Sequence, residues 1–292
     1  MDRYNQVIAS SHVTDSDEEV AKEVAKIMEN ASQYATPEVY KFLFSSIDLT
    51  TLSTEDSQYS VTAFTKRVND FDNEYPQYPN VAAICVYSNF AEVVSTTLEV
   101  TGVDVAVVAG GFPSSQTFTA VKVADVALAV AGGANEVDVV MNLGYYRDHN
   151  YEDLSDELIE LRHTCKNARM KVILETGALK TAENIRNASL LAMYSDADFI
   201  KTSTGKIYPG ASLEAAWVMC QCIKEYREKT GRMVGFKAAG GIRTAEEAVK
   251  YYAIVKEVLG DEWLNQDYFR IGASSLANSL LSAMEGTETK FF

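Results

Sequence analysis

The strongest constraint on the fold is a rhythm of eight short apolar segments, separated by longer segments of helical character, along most of a 292-residue chain. Strands that are apolar on both faces are typical of parallel sheets that helices cover. The rhythm therefore predicts an α/β protein. The predicted strands are SSIDLT (45–50), NVAAICVY (80–87), DVAVVAG (104–110), EVDVVMN (136–142), MKVILETG (170–177), FIKTSTG (199–205), MVGFKAAGG (233–241) and FRIGASS (269–275).

Two architectures contain such an alternation, a doubly wound open sheet and a closed (β/α)8 barrel. No GxGxxG motif follows the first predicted strand, and the eight repeats match the strand number of the barrel. The chain has no linker rich in Pro, Gly or Ser that would split it, and it contains only five prolines. We therefore predict one TIM barrel.

Several segments between the strands begin with a helix-capping residue. Thr181, Ser212 and Thr244 each carry a hydroxyl that can accept a hydrogen bond from the first helical turn, and an acidic residue follows closely. Gly260 is a plausible end for the helix that begins after Thr244. These signals predict helices between the later strands of the barrel.

The first 40 residues differ from the rest of the chain. An acidic first turn follows Ser16, and Pro37 occupies a position suited to the first turn of a helix. We predict two helices here and assign residues 1–40 to an N-terminal helical extension and residues 41–292 to the barrel. The extension is expected either to cover the bottom of the barrel or to contribute to a homodimer interface.

Composition narrows the classes of function. The 26 Lys and Arg against 41 Asp and Glu give a net charge of −15, which disfavours nucleic acid as a partner. The chain has no run of ~18 apolar residues, so we predict no membrane span. Its first residues lack the apolar core of a signal peptide. The four cysteines form no CxxC pair, and the three histidines lie far apart. We expect a cytoplasmic protein with reduced thiols and no metal.

Three predicted strands carry a charged residue inside an apolar run, namely Asp138, Lys201 and Lys237. If these faces point into the barrel, two lysines and one carboxylate converge. A structural ion pair between Asp138 and one lysine is the simpler interpretation. The second lysine would then remain as an unbalanced buried cation, which is costly for structure alone and useful for chemistry.

A buried lysine pair suits amine chemistry on carbonyl compounds. A lysine attacks a carbonyl only when neutral, and its ordinary pKa of ~10.4 leaves it protonated. Desolvation and a second nearby cation both lower this pKa. A neighbouring carboxylate can move protons through the carbinolamine and enamine steps. The pattern predicts a Schiff-base lyase, although spacing alone does not show which lysine is the nucleophile.

A second group of polar residues lies in glycine-rich turns after the last three strands. Glycines allow backbone N–H groups to approach an anion closely, and such turns after strands seven and eight commonly bind phosphate in barrels. We predict a phosphate site here, with further substrate contacts at the ends of other strands. The phosphate candidates are Gly205, Lys206, Gly240, Gly241, Arg243, Gly272, Ser274 and Ser275. The other predicted contacts are Asp48, Thr50, Cys85 and Thr202.

Seven segments resemble the deoxyribose-phosphate aldolase family, whose members are class I aldolases with a TIM barrel. They are IDLTTL (47–52), AAICVY (82–87), EVDVVMNLG (136–144), KVILETG (171–177), ADFIKTSTGK (197–206), VGFKAAGGIRT (234–244) and RIGASSL (270–276). They occur in order over residues 45–285, and FIKTSTGK together with GFKxAGGIRT is highly specific.

This resemblance implies a role for each buried charge. Lys201 would form the Schiff base, Lys237 would tune its pKa, and Asp138 would relay protons. It further implies phosphate binding around the glycine-rich turns and reversible cleavage of 2-deoxyribose 5-phosphate to glyceraldehyde 3-phosphate and acetaldehyde. The expected partners are thus small phosphosugars and aldehydes, and the resemblance implies no cofactor.

Three features depart from the family pattern. Ala238 stands where the family has proline in KPAGG, and the N-terminal stretch is longer than in the shortest members. Some members end in a tyrosine that enters the active site, whereas this chain ends at Phe292. Two other functions stay open: a transaldolase-like enzyme acting on another phosphosugar, and a sugar-phosphate-binding barrel without catalysis.

Overall fold

The computed structural model describes residues 3–292 and contains eight parallel strands. Each strand pairs with the next in the sequence, and the eighth pairs with the first, so that the sheet closes into a barrel. The predicted TIM barrel is confirmed. The strands are β1 Ile47–Thr50, β2 Ala83–Tyr87, β3 Asp104–Ala109, β4 Glu136–Val140, β5 Arg169–Ile173, β6 Phe199–Lys201, β7 Gly235–Ala239 and β8 Phe269–Ala273.

Helices surround the barrel. They are α1 Arg3–Ala9, α2 Asp17–Met28, α3 Pro37–Ser45, α4 Gln58–Glu74, α5 Ala91–Thr97, α6 Thr119–Ala131, α7 Leu143–Arg147, α8 Tyr151–Cys165, α9 Thr176–Leu179, α10 Ala182–Tyr194, α11 Leu213–Thr230, α12 Ala245–Leu259 and α13 Leu276–Glu285. Short 3-10 turns occupy Ala31–Tyr34, Ser88–Phe90 and Asp261–Trp263. Among residues 3–292, no helix combines the length and the apolar character that a membrane span requires.

The predicted helix caps are present. The side chains of Thr181, Ser212 and Thr244 accept hydrogen bonds from backbone N–H groups in the first turns of α10, α11 and α12. Thr244 also forms a reciprocal capping box with Glu247, and Gly260 caps the end of α12. Each cap satisfies N–H groups that have no partner within the helix, so the local sequence fixes where these helices start.

The N-terminal segment contains three helices rather than the two predicted, because α1 was not foreseen. Its helices pack against the outer helices of the barrel: α1 contacts α8 and α10, and α2 contacts α10, α11 and α12. Val20 and Val24 are buried in these contacts, and Asp17 accepts a hydrogen bond from the N–H of Ala182 at 2.7 Å. The division at residue 40 falls within α3 and stays a prediction.

The interior of the barrel is divided into an apolar part and a charged part. Small apolar side chains of β2 and β3 form a separate buried cluster, which consists of Ala83, Cys85, Ala106 and Val108. The remaining strands contribute Asp48, Glu136, Asp138, Lys171, Lys201, Lys237 and Arg270, all of them buried. The charges therefore gather on one side of the barrel, and a small apolar wall faces them.

Space inside the barrel depends on a glycine opposite an aromatic ring. Gly235 and Phe199 are paired across β7 and β6, and a Cβ at Gly235 would lie 2.3 Å from the Phe199 ring. We expect Gly235→Ala to lower the free energy of unfolding by about 1–3 kcal/mol through overpacking. Chemical denaturation of this variant, of Phe199→Leu and of the double variant measures the effect. The double variant should be more stable than the sum of the single losses; strict additivity would contradict the clash.

Candidate active site

A cavity of about 270 Å³ opens at the carboxyl ends of the strands. Barrel enzymes place their active sites at this end, because the loops that follow the strands meet there. Ten of the predicted site residues line the cavity: Thr50, Lys201, Gly205, Lys206, Gly240, Gly241, Arg243, Gly272, Ser274 and Ser275. Leu52, Thr204, Ala239, Ile242 and Ala273 also line it and were not foreseen.

Lys201 lies at the base of this cavity, beside the other two charges predicted with it. Its Nζ is 2.7 Å from Asp138 Oδ2, and Lys237 Nζ lies 2.7 Å from the same oxygen. The two lysines occupy paired positions on β6 and β7. Lys201 keeps 4% of its surface exposed, whereas Lys237 and Asp138 keep none. Of the two lysines, only Lys201 therefore reaches the cavity.

Four further charged residues extend the cluster toward the bottom of the barrel. Asp48 contacts Lys237 and Lys171, and its Oδ1 accepts a hydrogen bond from Arg270 at 2.6 Å. Glu136 contacts Lys171 and accepts a hydrogen bond from Arg270 at 2.9 Å. Lys171 and Arg270 were missed by the sequence analysis. Both interrupt apolar strands as Lys201 and Lys237 do, so the same signal could have found them.

The charges within this cluster of seven side chains do not balance. Three carboxylates (Asp48, Glu136 and Asp138) face four basic groups (Lys171, Lys201, Lys237 and Arg270). Within 4.0 Å, Lys171 has three carboxylate partners and Lys237 has two, whereas Lys201 has Asp138 alone. A buried cation is stable only when carboxylates compensate it. Among these groups, Lys201 is therefore the one whose positive charge is least stabilised.

The pKa shifts follow this imbalance. Burial lowers the pKa of Lys201, and the charge of Lys237 lowers it further against the opposing attraction of Asp138. Burial acts in the same direction on Lys237, but the charges of Asp138 and Asp48 outweigh it and raise the pKa of Lys237. Burial would raise the pKa of Asp138, yet Lys201 and Lys237 together hold it below its ordinary value. The cluster thus favours loss of a proton from Lys201 over loss of one from Lys237.

The upper part of the cavity is suited to an anion. Gly205 and Gly241 have φ angles of +71° and +87°, which glycine adopts without strain. Within residues 3–292, their backbone N–H groups donate to no acceptor. Lys206 and Arg243 line the same region, and the Lys206 ammonium donates to the carbonyl of Leu52 across the mouth. Free N–H donors with two basic side chains form an anion-binding surface.

Three predicted contacts lie below or beside the cavity instead of lining it. Asp48 belongs to the buried charge cluster. The Thr202 hydroxyl donates to the carbonyl of Ala239 and accepts from its N–H, both at 3.0 Å, and so joins two strand ends. Cys85 lies in the apolar wall, where burial raises the pKa of its thiol. The roles of Asp48, Thr202 and Cys85 in substrate binding stay predictions.

The C-terminal residues pack on the outside of the barrel. Phe291 packs edge-on and Phe292 at a tilt against Phe71 of α4, both at ring-centroid distances of 5.5 Å. The side chain of Asn278 donates to the carbonyl of Phe292 and accepts from the N–H groups of both phenylalanines. In this conformation the tail is part of the outer wall, and neither phenylalanine lines the cavity.

The fold and this cavity together define a class of protein. A desolvated lysine of lowered pKa lies at the carboxyl end of a (β/α)8 barrel, with a carboxylate in contact and an anion-binding surface above it. Such a lysine is equipped for nucleophilic chemistry on carbonyl compounds. Within residues 3–292, no group of three or more His, Cys, Asp or Glu side chains is arranged to hold a metal ion.

Comparison with known proteins identifies the family within this class. The model of the DeoC/LacD family of aldolases matches residues 43–282, and this chain belongs to that family. The deoxyribose-phosphate aldolase of Mus musculus is 42% identical over 247 residues, which cover 80% of this chain and 77% of the mouse protein. The human protein of the same name is 39% identical over 80% of this chain and 77% of its own length.

A solved structure of similar fold is also described as an aldolase. The structure described as "QR15, an Aldolase" superimposes with a TM-score of 0.68 at 29% identity, over 82% of this chain and 96% of its own. The family membership predicted from the sequence motifs is confirmed, and this protein is an aldolase, a lyase that cleaves a carbon–carbon bond.

The charge imbalance predicts how the reactivity of Lys201 depends on pH. In Lys237→Leu the enclosed cluster holds three carboxylates and three basic groups, so a protonated Lys201 completes the balance. We expect the pKa of Lys201 to rise, because the neighbouring cation that lowers it is gone. A nucleophilic amine must be neutral, so the acid limb of the rate of borohydride trapping with acetaldehyde should move to higher pH. An unchanged limb with uniformly lower rates would mean that Lys237 does not tune Lys201.

Proposed function

We propose that this aldolase reversibly cleaves 2-deoxy-D-ribose 5-phosphate to D-glyceraldehyde 3-phosphate and acetaldehyde through a Schiff base on Lys201. The observation that carries the proposal is the surplus basic group in the barrel, because it favours one neutral lysine at the base of the cavity. The names of the mouse and human relatives support the substrate. The free N–H donors of Gly205 and Gly241 support a phosphorylated one.

The proposed reaction begins at the aldehyde of the open-chain sugar. The neutral amine of Lys201 adds to C1 and gives a carbinolamine, which takes up a proton and loses water to become a protonated imine. A base removes the proton of the 3-hydroxyl and the C2–C3 bond breaks. Its electron pair forms the C1=C2 double bond of an enamine, while the π pair of the imine returns to nitrogen. Glyceraldehyde 3-phosphate leaves. Protonation of the enamine at C2 and hydrolysis then release acetaldehyde and restore the amine.

Asp138 is placed to move the protons of this sequence. Its Oδ2 contacts both lysines, whereas its Oδ1 accepts no hydrogen bond within residues 3–292 and lies 3.5 Å from Lys171 Nζ. The contact of Oδ2 with Lys201 gives the carboxylate a direct path to the nitrogen that gains and loses protons in this sequence. Lys237 stays protonated between Asp138 and Asp48 and stabilises the ionised carboxylate between transfers.

The phosphate would lie against the turns after β6, β7 and β8. Gly205, Gly240, Gly241 and Gly272 bring the backbone close, Ser274 and Ser275 precede α13, and Lys206 and Arg243 supply charge. Although the whole chain has a net charge of −15, these turns and basic side chains give an anion a place to bind.

The remaining proposals concern the setting of the reaction. The partners are a small phosphosugar and two aldehydes, with no cofactor. Four free, buried cysteines support a reducing compartment such as the cytoplasm, where we place a role in deoxyribonucleotide breakdown. A structure described as the unique tetrameric deoxyribose phosphate aldolase of Aeropyrum pernix shares the fold at 24% identity, and we propose self-association, at least as a homodimer, for this chain also.

Trapping tests the nucleophile. Borohydride reduction in the presence of acetaldehyde should leave an ethyl group on Lys201, located by peptide mass spectrometry. Lys201→Ala should fold, because the side chain lies at the cavity and not in the apolar core, and should lose at least ~1000-fold in rate together with the adduct. Lys206→Ala is the matched control and should keep the adduct. An adduct on Lys237 or Lys206 in the unmodified sequence would overturn the assignment.

Substitutions in the turns test the phosphate site. Gly241→Val blocks close approach of the backbone, and Ser274→Asp places a negative charge beside the phosphate. Both should lower kcat/KM for 2-deoxyribose 5-phosphate by roughly 10-fold or more, with a much smaller loss for 2-deoxyribose. Steady-state rates with both sugars decide this. Equal losses would show that the turns support the barrel or Lys201, and the phosphate assignment would be withdrawn.

A further inference from the structure

Glu175 is a buried carboxylate that the reaction scheme does not use. It lies just beyond β5, separated from the strand by Leu174, and only 2% of its surface is exposed. Its backbone is left-handed, with φ of 56° and ψ of 60°. Glutamate seldom adopts this conformation, because its Cβ crowds the backbone there. Glycine would avoid the strain, so the retained side chain points to a task for the carboxylate.

The carboxylate of Glu175 is directed at a single residue of the loop that follows β6. Its Oε1 accepts a hydrogen bond from the N–H of Thr204 at 3.2 Å, and its Oε2 accepts one from the Thr204 hydroxyl at 2.5 Å. Among residues 3–292, no basic side chain lies within 4.0 Å of it. Glu175 therefore acts on Thr204 as a two-point acceptor and not as half of an ion pair.

Thr204 transmits this contact to the anion-binding surface. Its hydroxyl oxygen accepts a hydrogen bond from the N–H of Lys206 at 3.2 Å, which fixes the turn Thr204–Gly205–Lys206. All three residues of the turn line the cavity. The conformation of this turn determines the direction of the Gly205 N–H and the point from which the Lys206 side chain extends.

The other end of the same loop is held by close packing. A Cβ at Gly210 would lie 2.2 Å from the carbonyl oxygen of Gly240, and the N–H of Ala211 donates to the carbonyls of Ala239 and Gly240 at 3.0 Å. The loop is thus fixed to the β7 turn at its far end. At its near end, the side-chain hydrogen bonds to Thr204 come from Glu175.

We propose that Glu175 is a positioning residue that selects for a phosphorylated substrate by holding the turn Thr204–Gly205–Lys206 in its anion-binding conformation. This inference rests on the proposed function for the identity of the substrate. Glu175 does not touch the reacting atoms, so it affects phosphate affinity and leaves the chemistry at Lys201 in place. Preorganisation of this kind increases affinity, because the loop loses less freedom on binding.

The experiment separates the carboxylate from the backbone conformation. Glu175→Gly accepts the left-handed backbone and removes only the side chain. We expect KM for 2-deoxyribose 5-phosphate and the inhibition constant of inorganic phosphate each to rise roughly 10-fold or more. The kcat/KM for 2-deoxyribose and the melting temperature should stay close to those of the unmodified protein.

Three further variants complete the set. Glu175→Gln keeps one acceptor oxygen and should recover part of the phosphate affinity. Thr204→Val removes the hydroxyl that links Glu175 to Lys206 and should reproduce the loss even if Glu175→Gly fails to fold, whereas Thr204→Ser should recover it. Calorimetric titration with inorganic phosphate measures all four variants.

The outcomes distinguish this inference from the proposed function. Two results would show that Glu175 is not a positioning residue for phosphate. One is that Glu175→Gly and Thr204→Val bind inorganic phosphate as tightly as the unmodified protein. The other is that their kcat/KM falls equally for the two sugars. If the unmodified protein cleaves neither sugar, the proposed function fails. In that case the phosphate titrations still decide whether Glu175 organises the anion-binding turn.

Discussion

The buried charge cluster determines how the rest of this barrel works. Seven charged side chains enclosed in a barrel are tolerated only because each contacts an opposite charge, and removing a partner from such a group is costly. Asp48 illustrates the dependence: Lys171, Lys237 and Arg270 hold its pKa far below the ordinary value although burial opposes this. The same pairing leaves Lys201 with one carboxylate. The arrangement that stabilises the interior is therefore also the arrangement that lowers the pKa of one lysine.

Closure of the sheet is what brings these residues together. Lys201 and Lys237 come from strands that are 36 positions apart in the sequence, yet the parallel register pairs them directly. Asp138 is paired with Lys171 in the same way. Gly272 leaves room for the side chain of Lys237, since a Cβ at position 272 would lie 3.1 Å from Lys237 Cε. Catalytic geometry and barrel packing thus rely on the same interior positions.

Much of this could be predicted from the sequence, where a local signal specified the structure. Caps such as Thr244 mark helix starts because the side chain bonds within its own turn, and a charge within an apolar strand marked Lys201 and Lys237. Contacts between residues far apart in the sequence are harder to predict, because they follow from the fold and not from a local pattern. Lys171 and Arg270 complete the cluster only through the closed register, and Glu175 is distinguished by a left-handed backbone that no residue pattern indicates. Helix α1 has only seven residues, too few to show a clear helical period, and it packs against α8 and α10.

The cavity separates two tasks by chemical means. At its base, side-chain charges work in an enclosed region, where electrostatic effects on pKa are strong. At its rim, backbone N–H groups and exposed basic side chains meet solvent, so that an anion can enter and leave. The loop from Thr202 to Ser212 connects the two levels, because Thr202 bonds the strand end beside Lys201 and Thr204 shapes the rim. A change in that loop can therefore alter substrate affinity while the charge cluster below, held by the barrel strands, keeps its chemistry.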